Sequence, residues 1–369
     1  MQTSPWSRGA IVLLLALLVT TTGLLLVRTS RLEAQLARHA QGVHAVTGLL
    51  EQAEENALSL DALRAVRAEL ESRLSGAVER VEALEARSDA GQRVIAAAAK
   101  SVVFLLGSYG FVDREDGRPL RMVLGPNGRP VTDAQGNPML SFSGTGPVFE
   151  RLFTGTAFVA TEDGLLLTNA HVAVPWQFED PAKALVQRGL IPVMHRQIGY
   201  LPGIEAPFDV ELVVASETAD VAVLRCSGAT GLVPSLPLGE TPARPGDEVF
   251  VLGYPTGIRA LLARTNAAFV DSLMRDPRPD FRTMAQQLSE AGHIAPLATR
   301  GIVGQATLDT VVYDAETTHG GSGGPVLGLN GEVQAINAAM LTDFGGSNLG
   351  IPAAEARRLL VQAIARSAL

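Results

Sequence analysis

The sequence predicts a mainly β body, a sandwich or a barrel, set behind an N-terminal helical region. Three observations predict it. After Lys100 the chain breaks into short runs rich in Val, Leu, Phe and Tyr, each bounded by Gly, Pro, Asp or Asn: SVVFLL, GTAFVAT, GLLLTN, FDVELVVA, ADVAVLR, DEVFVLGY, GIVGQA, LDTVVYD and GEVQAIN. Most of the 37 glycines and 21 prolines also fall after residue 105, which marks a turn-rich segment. Finally, the runs follow one another without regular crossover helices, so a sandwich or barrel is expected rather than alternating βαβ units.

The first segment, residues 1–29, reads as a membrane anchor. From Gly9 to Val27 there is no charged residue, and a run of about 20 apolar residues is what a helix needs to cross the hydrocarbon core. A cleavable signal would have an apolar core of roughly 7–15 residues and then a small-x-small site. Here Arg28, Thr29, Ser30 and Arg31 follow directly, so an uncleaved anchor is expected. Arg8 flanks one side and Arg28, Arg31 and Arg38 the other, and a bare positive-inside count would place the body in the cytoplasm.

Residues 30–93 change character: they are charged, rich in Ala, Leu, Glu and Arg, and contain no proline. One long helix is predicted. Val46, Leu49, Ala53, Leu60, Leu63, Leu70, Leu74, Ala77, Val81 and Leu84 form a seam of alternating three- and four-residue spacing, interrupted only by Asn56 and Arg67, the pattern of a parallel coiled coil and hence of a homo-oligomer. The other reading of this spacing is a single amphipathic helix lying on the body. His39 and His44, five apart, fall on different helix faces and are expected to be solvated.

Residues 94–369 are the β body. Asp116-Gly-Arg-Pro, Asn127-Gly-Arg-Pro and Gln135-Gly-Asn-Pro predict three successive chain reversals. The stretches 107–150, 174–206 and 262–299 read as inserts. The last two contain PAKALVQRGL, AAFVDSLMRD and DFRTMAQQLSEAG, which have helical composition. His195 and His293 fall in these inserts and are expected to be ordinary surface residues.

Composition narrows the function. Thirty Lys and Arg against thirty-eight Asp and Glu give a formal charge of −8, which argues against the basic surface of a nucleic-acid binder. The single cysteine, Cys226, can form neither an intrachain disulfide nor a Cys-based zinc site.

The strongest local signal is His319-Gly-Gly-Ser-Gly-Gly-Pro325. Glycines around a serine let the backbone turn sharply and bring N–H groups against an incoming carbonyl, which a hydrolytic serine needs for its oxyanion. The run also satisfies the G-x-S-x-G nucleophile elbow, but that fold places its histidine after the serine, and no histidine follows Gly323. Upstream, GTAFVATEDGLLLTNAHVA places His171 just after a strand pair, and ETADVAVLR places Asp220 at the start of another strand. Alone, the histidine would read as a packing residue, the aspartate as a turn residue and the serine as part of a flexible turn. Together, in the order His171, Asp220, Ser322 and each in a β context, they read as a catalytic set.

On residues 155–174, 219–225, 245–254, 300–305 and 314–338 the chain resembles the trypsin/chymotrypsin-like serine endopeptidases of the bacterial kind, with wording similar to the HtrA/Deg proteases. The resemblance implies a double six-stranded β-barrel with helical inserts, and peptide hydrolysis through an acyl-enzyme without metal or cofactor. It implies His171 as general base, Asp220 as its orienting partner, Ser322 as nucleophile, and the N–H groups of Gly320 and Ser322 as the oxyanion hole. Glu316, Thr317, Asn337 and Ala338 fall at substrate-binding positions, Glu316 at the floor of the pocket preceding the scissile bond. An acidic floor would favour Arg or Lys there, unless Glu316 points to solvent or pairs with an arginine such as Arg300; HtrA/Deg-like pockets usually take small aliphatic side chains.

There are also departures from that family. HtrA/Deg proteases usually carry a PDZ domain, whereas only 17 residues follow Pro352, below the size of an independent fold. Position 321 is Gly where the family often has Asn, which would loosen the loop before substrate binds. TTHGGSGGP is also similar to glutamyl endopeptidases, but AINAA lacks the histidine those enzymes place on the substrate-binding strand, so acidic specificity is not implied. The expectation is a single-pass bacterial inner-membrane protein with a periplasmic or extracellular protease acting on protein or peptide substrates and binding no nucleic acid. The competing reading is a catalytically silent, protease-like scaffold that binds partners through its coiled coil and inserts.

Overall fold

The computed structural model describes residues 60–367 apart from 135, 229, 274, 276–279, 318–319 and 342–346. The chain divides into two compact units, Met1–Ala83 and Leu84–Leu369. The expected membrane anchor, the seam residues Val46, Leu49 and Ala53, and His39 and His44 lie outside the described residues. No helix among the described residues is long and apolar enough to cross a membrane.

Helix α1 runs from Leu60 to Ala99, six residues past the predicted end at 93. The extension, VIAAAA, has strong helix formers, and in the second unit Val94, Ile95 and Ala98 pack into the main core. In the first unit the helix carries the ion pairs Arg67–Glu71 and Arg73–Glu69, each at 2.7 Å. The seam residues Leu70, Leu74 and Val81 are exposed.

The strands follow as β1 (Val102–Val112), β2 (Arg121–Met122), β3 (Leu140–Ser141), β4 (Arg151–Val159), β5 (Leu165–Thr168), β6 (Ile191–Tyr200), β7 (Phe208–Ala215), β8 (Ala222–Ser227), β9 (Glu248–Gly253), β10 (Leu297–Ala306), β11 (Val311–Tyr313), β12 (Pro325–Gly328), β13 (Val333–Leu341) and β14 (Ser347–Pro352). They close into two six-stranded barrels, β1-β4-β5-β8-β7-β6 and β10-β11-β14-β13-β12-β9, with β2 and β3 as a separate pair. Closure leaves neither barrel with a free edge. The short helices are α2 (Ala170–Ala173), α3 (Asp180–Gln187), α4 (Ile258–Ala263), α5 (Ala267–Leu273), α6 (Phe281–Glu290) and α7 (Ala353–Ser367).

The two barrels share one core. Phe104 of the first packs at a tilt against Tyr254, just past β9, with ring centroids 5.2 Å apart, and both are fully buried. Helix α7, which holds most of the residues after Pro352, covers this core with Ala356, Leu359, Leu360 and Ala363. Fully burying a side chain of this size contributes about 1.5–3 kcal/mol, so the contact between barrels is a major part of the fold.

The three predicted reversals form: Asp113 N–H donates to Arg118 O, Gly125 N–H to Arg129 O and Asp133 N–H to Asn137 O. The helical pieces of the inserts form as α3, α5 and α6. The expected insert 174–206, however, contains β6, a full barrel strand that pairs with both β1 and β7. Its sequence, IPVMHRQIGY, hides it because Pro192 and the polar His195–Gln197 interrupt the apolar run, and only Gln197–Tyr200 are buried. His195 is thus an exposed strand residue. The predicted insert 262–299 similarly ends inside β10, which begins at Leu297.

Candidate active site

Strand β5 pairs with β8, with Thr168 opposite Ala222. That register places the segment just after β5, which carries His171, beside the segment just before β8, which carries Asp220. The buried Asn169, which precedes α2, reinforces the placement by donating from Nδ2 to the carbonyl of Asp220 at 2.7 Å. The Asp220 carboxylate then meets His171 twice: Oδ2 lies 2.7 Å from His171 Nδ1, and Oδ1 accepts from the His171 backbone N–H at 2.9 Å. A carboxylate held this way fixes both the ring orientation and its tautomer, leaving Nε2 as the free acceptor. Phe178, exposed at 42%, sets its ring edge-on to the imidazole at 6.1 Å.

Ser322 comes from the second barrel, in the turn before β12. The turn can form only with glycine at two of its positions. Gly320 has φ +93° and Gly323 φ +88°, where L side chains are strained; a Cβ at Gly323 would also lie 2.0 Å from the Thr156 carbonyl oxygen. This close approach lets Thr156 N–H donate to the Ser322 carbonyl at 2.9 Å. The Thr156 hydroxyl donates to Gly320 O at 2.7 Å and accepts from Tyr254 N–H at 3.0 Å. Thr168 Oγ1 in turn donates to Thr156 O at 2.7 Å. The first barrel therefore holds the serine loop of the second by its backbone.

The Ser322 hydroxyl donates to the carbonyl of Ala338 on β13 at 3.1 Å, and no hydrogen bond joins Ser322 to His171. A carbonyl cannot take the hydroxyl proton, so Ser322 could pass its proton to the imidazole only after a rotation about χ1.

The structure brings His171, Asp220, Gly320 and Ser322 to the junction between the barrels. Glu316 is exposed, and its carbonyl accepts from Thr299 Oγ1 at 2.7 Å. The arginine considered for it, Arg300, pairs with Glu248 instead. Asn337 is 2% exposed, with its side chain directed into the serine loop: Nδ2 donates to Gly321 O at 2.8 Å and to Thr317 Oγ1 at 3.1 Å. Thr156, Thr168, Asn169 and Tyr313 were not singled out by sequence. Thr156 lies within the GTAFVAT run, so a polar residue amid an apolar strand was the available signal.

Residues 155–336 match the trypsin-like peptidase domain family. The chain is 27% identical over 220 residues to serine protease HTRA1 of Xenopus tropicalis, covering 58% of this chain and 38% of that protein. It is also 27% identical over 217 residues to serine protease PepD of Mycobacterium tuberculosis, covering 56% of this chain and 40% of that one. The chain thus spans about two fifths of the length of these curated relatives. A solved structure, the serine endoprotease from Yersinia pestis, is 17% identical, with 74% of this chain and 66% of that chain covered at a TM-score of 0.43. With the family match across the residues that bear His171, Asp220 and Ser322, the chain carries a trypsin-like peptidase domain and is a homologue of the HtrA-type serine proteases.

Proposed function

We propose that the chain is a membrane-anchored serine endopeptidase that hydrolyses peptide bonds through His171, Asp220 and Ser322. The observation that carries this reading is the double contact of the Asp220 carboxylate with His171 Nδ1 and His171 N–H. It leaves Nε2 unprotonated and able to accept the Ser322 proton during attack, and it stabilises the imidazolium that results. The tetrahedral oxygen is received by the N–H groups of Gly320 and Ser322, and water releases the acyl group after the amine leaves.

A substrate strand laid along β13 supplies an N–H to the Ala338 carbonyl, which frees Ser322 to turn to His171. The alternative, a silent protease-like scaffold, is favoured by the same observation that makes this rotation necessary, the Ser322–Ala338 hydrogen bond. A fluorophosphonate probe decides between them. The enzyme reading expects labelling of the full chain that disappears in Ser322→Ala, and no labelling under any condition overturns it.

Residues 1–29 serve as the anchor and the seam through Leu84 as an oligomerising stalk, with the protease body in the periplasm or outside the cell. The exposed Leu70, Leu74 and Val81 support the stalk. A topology reporter fused after residue 100 that signals the cytoplasm would overturn the placement. Light scattering that gives equal subunit counts with and without the seam would overturn the stalk.

A further inference from the structure

Asn337 sits in the middle of β13, and its side-chain amide is fully engaged. Nδ2 donates one hydrogen to Gly321 O at 2.8 Å and the other to Thr317 Oγ1 at 3.1 Å, while Oδ1 accepts from the Tyr313 hydroxyl at 2.6 Å. Gly321 O can only accept, so the nitrogen must face it and the amide has a single orientation. Tyr313 is 1% exposed, and burial pushes its phenol up, so it remains a donor. The backbone of Asn337 braces the same loop, its N–H donating to Gly324 O at 2.9 Å and its carbonyl accepting from Gly323 N–H at 2.8 Å.

In a trans peptide the C=O and the following N–H point in opposite directions, and no peptide bond among the described residues is cis. The Gly321 oxygen is held by Asn337 Nδ2 and also accepts from Gly324 N–H at 3.1 Å, and this turns the Ser322 N–H to the opposite side, where it donates to no described residue. The preceding peptide is held in the same manner by the Thr156 hydroxyl on Gly320 O.

We propose that Asn337 is a positioning residue of the oxyanion site, its buried amide fixing the Gly321–Ser322 peptide so that the Ser322 N–H meets the oxygen of the tetrahedral intermediate. The inference rests on the hydrolase reading above. It replaces direct substrate contact by the Asn337 side chain, because a substrate could reach that amide only by breaking bonds that hold the serine loop. Glycine at 321 is also accounted for: the stiffness that a side chain there would provide comes from across the loop.

The test uses the full chain and compares wild type with Asn337→Ala, Asn337→Asp and Tyr313→Phe on one cleaved peptide, on a peptide boronate, and by fluorophosphonate labelling. Asn337→Ala should lower kcat by about 10–100-fold, somewhat less than outright loss of an oxyanion donor, with KM within about twofold. Boronate affinity should fall by a similar factor, because the adduct carries the tetrahedral oxygen. Asn337→Asp should be as slow at alkaline pH and recover relative to wild type as pH falls, since only the protonated carboxyl can donate to Gly321 O. A residue that merely supports the fold would not give that pH dependence. If Asn337→Ala does not fold, Tyr313→Phe must lower kcat by about three- to tenfold, the equivalent of one hydrogen bond. A labelled wild type with unchanged kcat in the variants overturns this inference and leaves the hydrolase standing. A wild type that never labels overturns the hydrolase reading and this inference with it.

Discussion

Thr156 N–H donates to the carbonyl of Ser322 at 2.9 Å, so a residue of the first barrel holds the backbone of the serine, the proposed nucleophile, that the second barrel supplies. The Thr156 hydroxyl extends the same clamp to Gly320 and Tyr254. Thr156→Val keeps the shape and the backbone bond but leaves Gly320 O and Tyr254 N–H without their partner. Leaving buried polar groups unpaired costs about 1–3 kcal/mol, and the transition in thermal or urea unfolding should fall accordingly. The released Gly320–Gly321 peptide should also lower kcat. A variant with wild-type kcat would show that the serine loop holds its shape without the clamp.

The geometry at Asp220 makes Asp220→Asn more informative than removal of the side chain. The His171 backbone N–H requires an acceptor at the Oδ1 position, so the new amide must present its NH2 to His171 Nδ1. The ring is then forced to carry its proton on Nε2, facing Ser322, where it cannot act as a base. A loss in kcat of about 10⁴ is expected, with the unfolding transition near that of wild type. His171→Ala and Ser322→Ala should each fall to background. An active His171→Ala protein would end the assignment of the base.

Cleavage preference should not depend on Glu316. The residue is exposed, and a carboxylate in water gives little selectivity for a basic side chain. Peptide-library profiling is expected to enrich small aliphatic residues before the scissile bond and to give the same profile for Glu316→Ala. Enrichment of Arg or Lys that vanishes in Glu316→Ala would restore the acidic floor.

Helix α6 has a defined N-terminal cap. The Asp280 carboxylate accepts from the backbone N–H groups of Arg282 at 2.6 Å and Thr283 at 2.9 Å. These bonds, that to Thr283 most, hold its carboxyl below the usual range. Asp280→Ala should cost about 1 kcal/mol at neutral pH. A depressed folded-state value means that this stability is present above the unfolded carboxyl range, near about 4, and is lost as pH falls through the folded value. The gap between wild type and variant in urea unfolding should therefore narrow on acidification, and a gap independent of pH would count against the cap.

The sequence by itself determined the β class of the body, the three Gly-bearing reversals and the helices α3, α5 and α6, and it named His171, Asp220 and Ser322 as the candidate set. These are local signals: strand composition, turn residues, or a residue type fixed within a few positions of its neighbours. Tertiary structure alone decided what depends on pairing distant segments. Strand β6 was hidden in an apparent insert because its burial comes from β1 and β7 rather than from its own alternation. Asn337 and Thr156 became holders of the serine loop only when barrel closure buried their polar groups next to backbone carbonyls that had to be satisfied. Arg300 turned to Glu248 and away from Glu316 because β9 and β10 pair there, with Arg300 opposite Phe250. The direction of the Ser322 hydroxyl was likewise invisible in one dimension, since its acceptor is the Ala338 carbonyl and a carbonyl leaves no mark in the sequence.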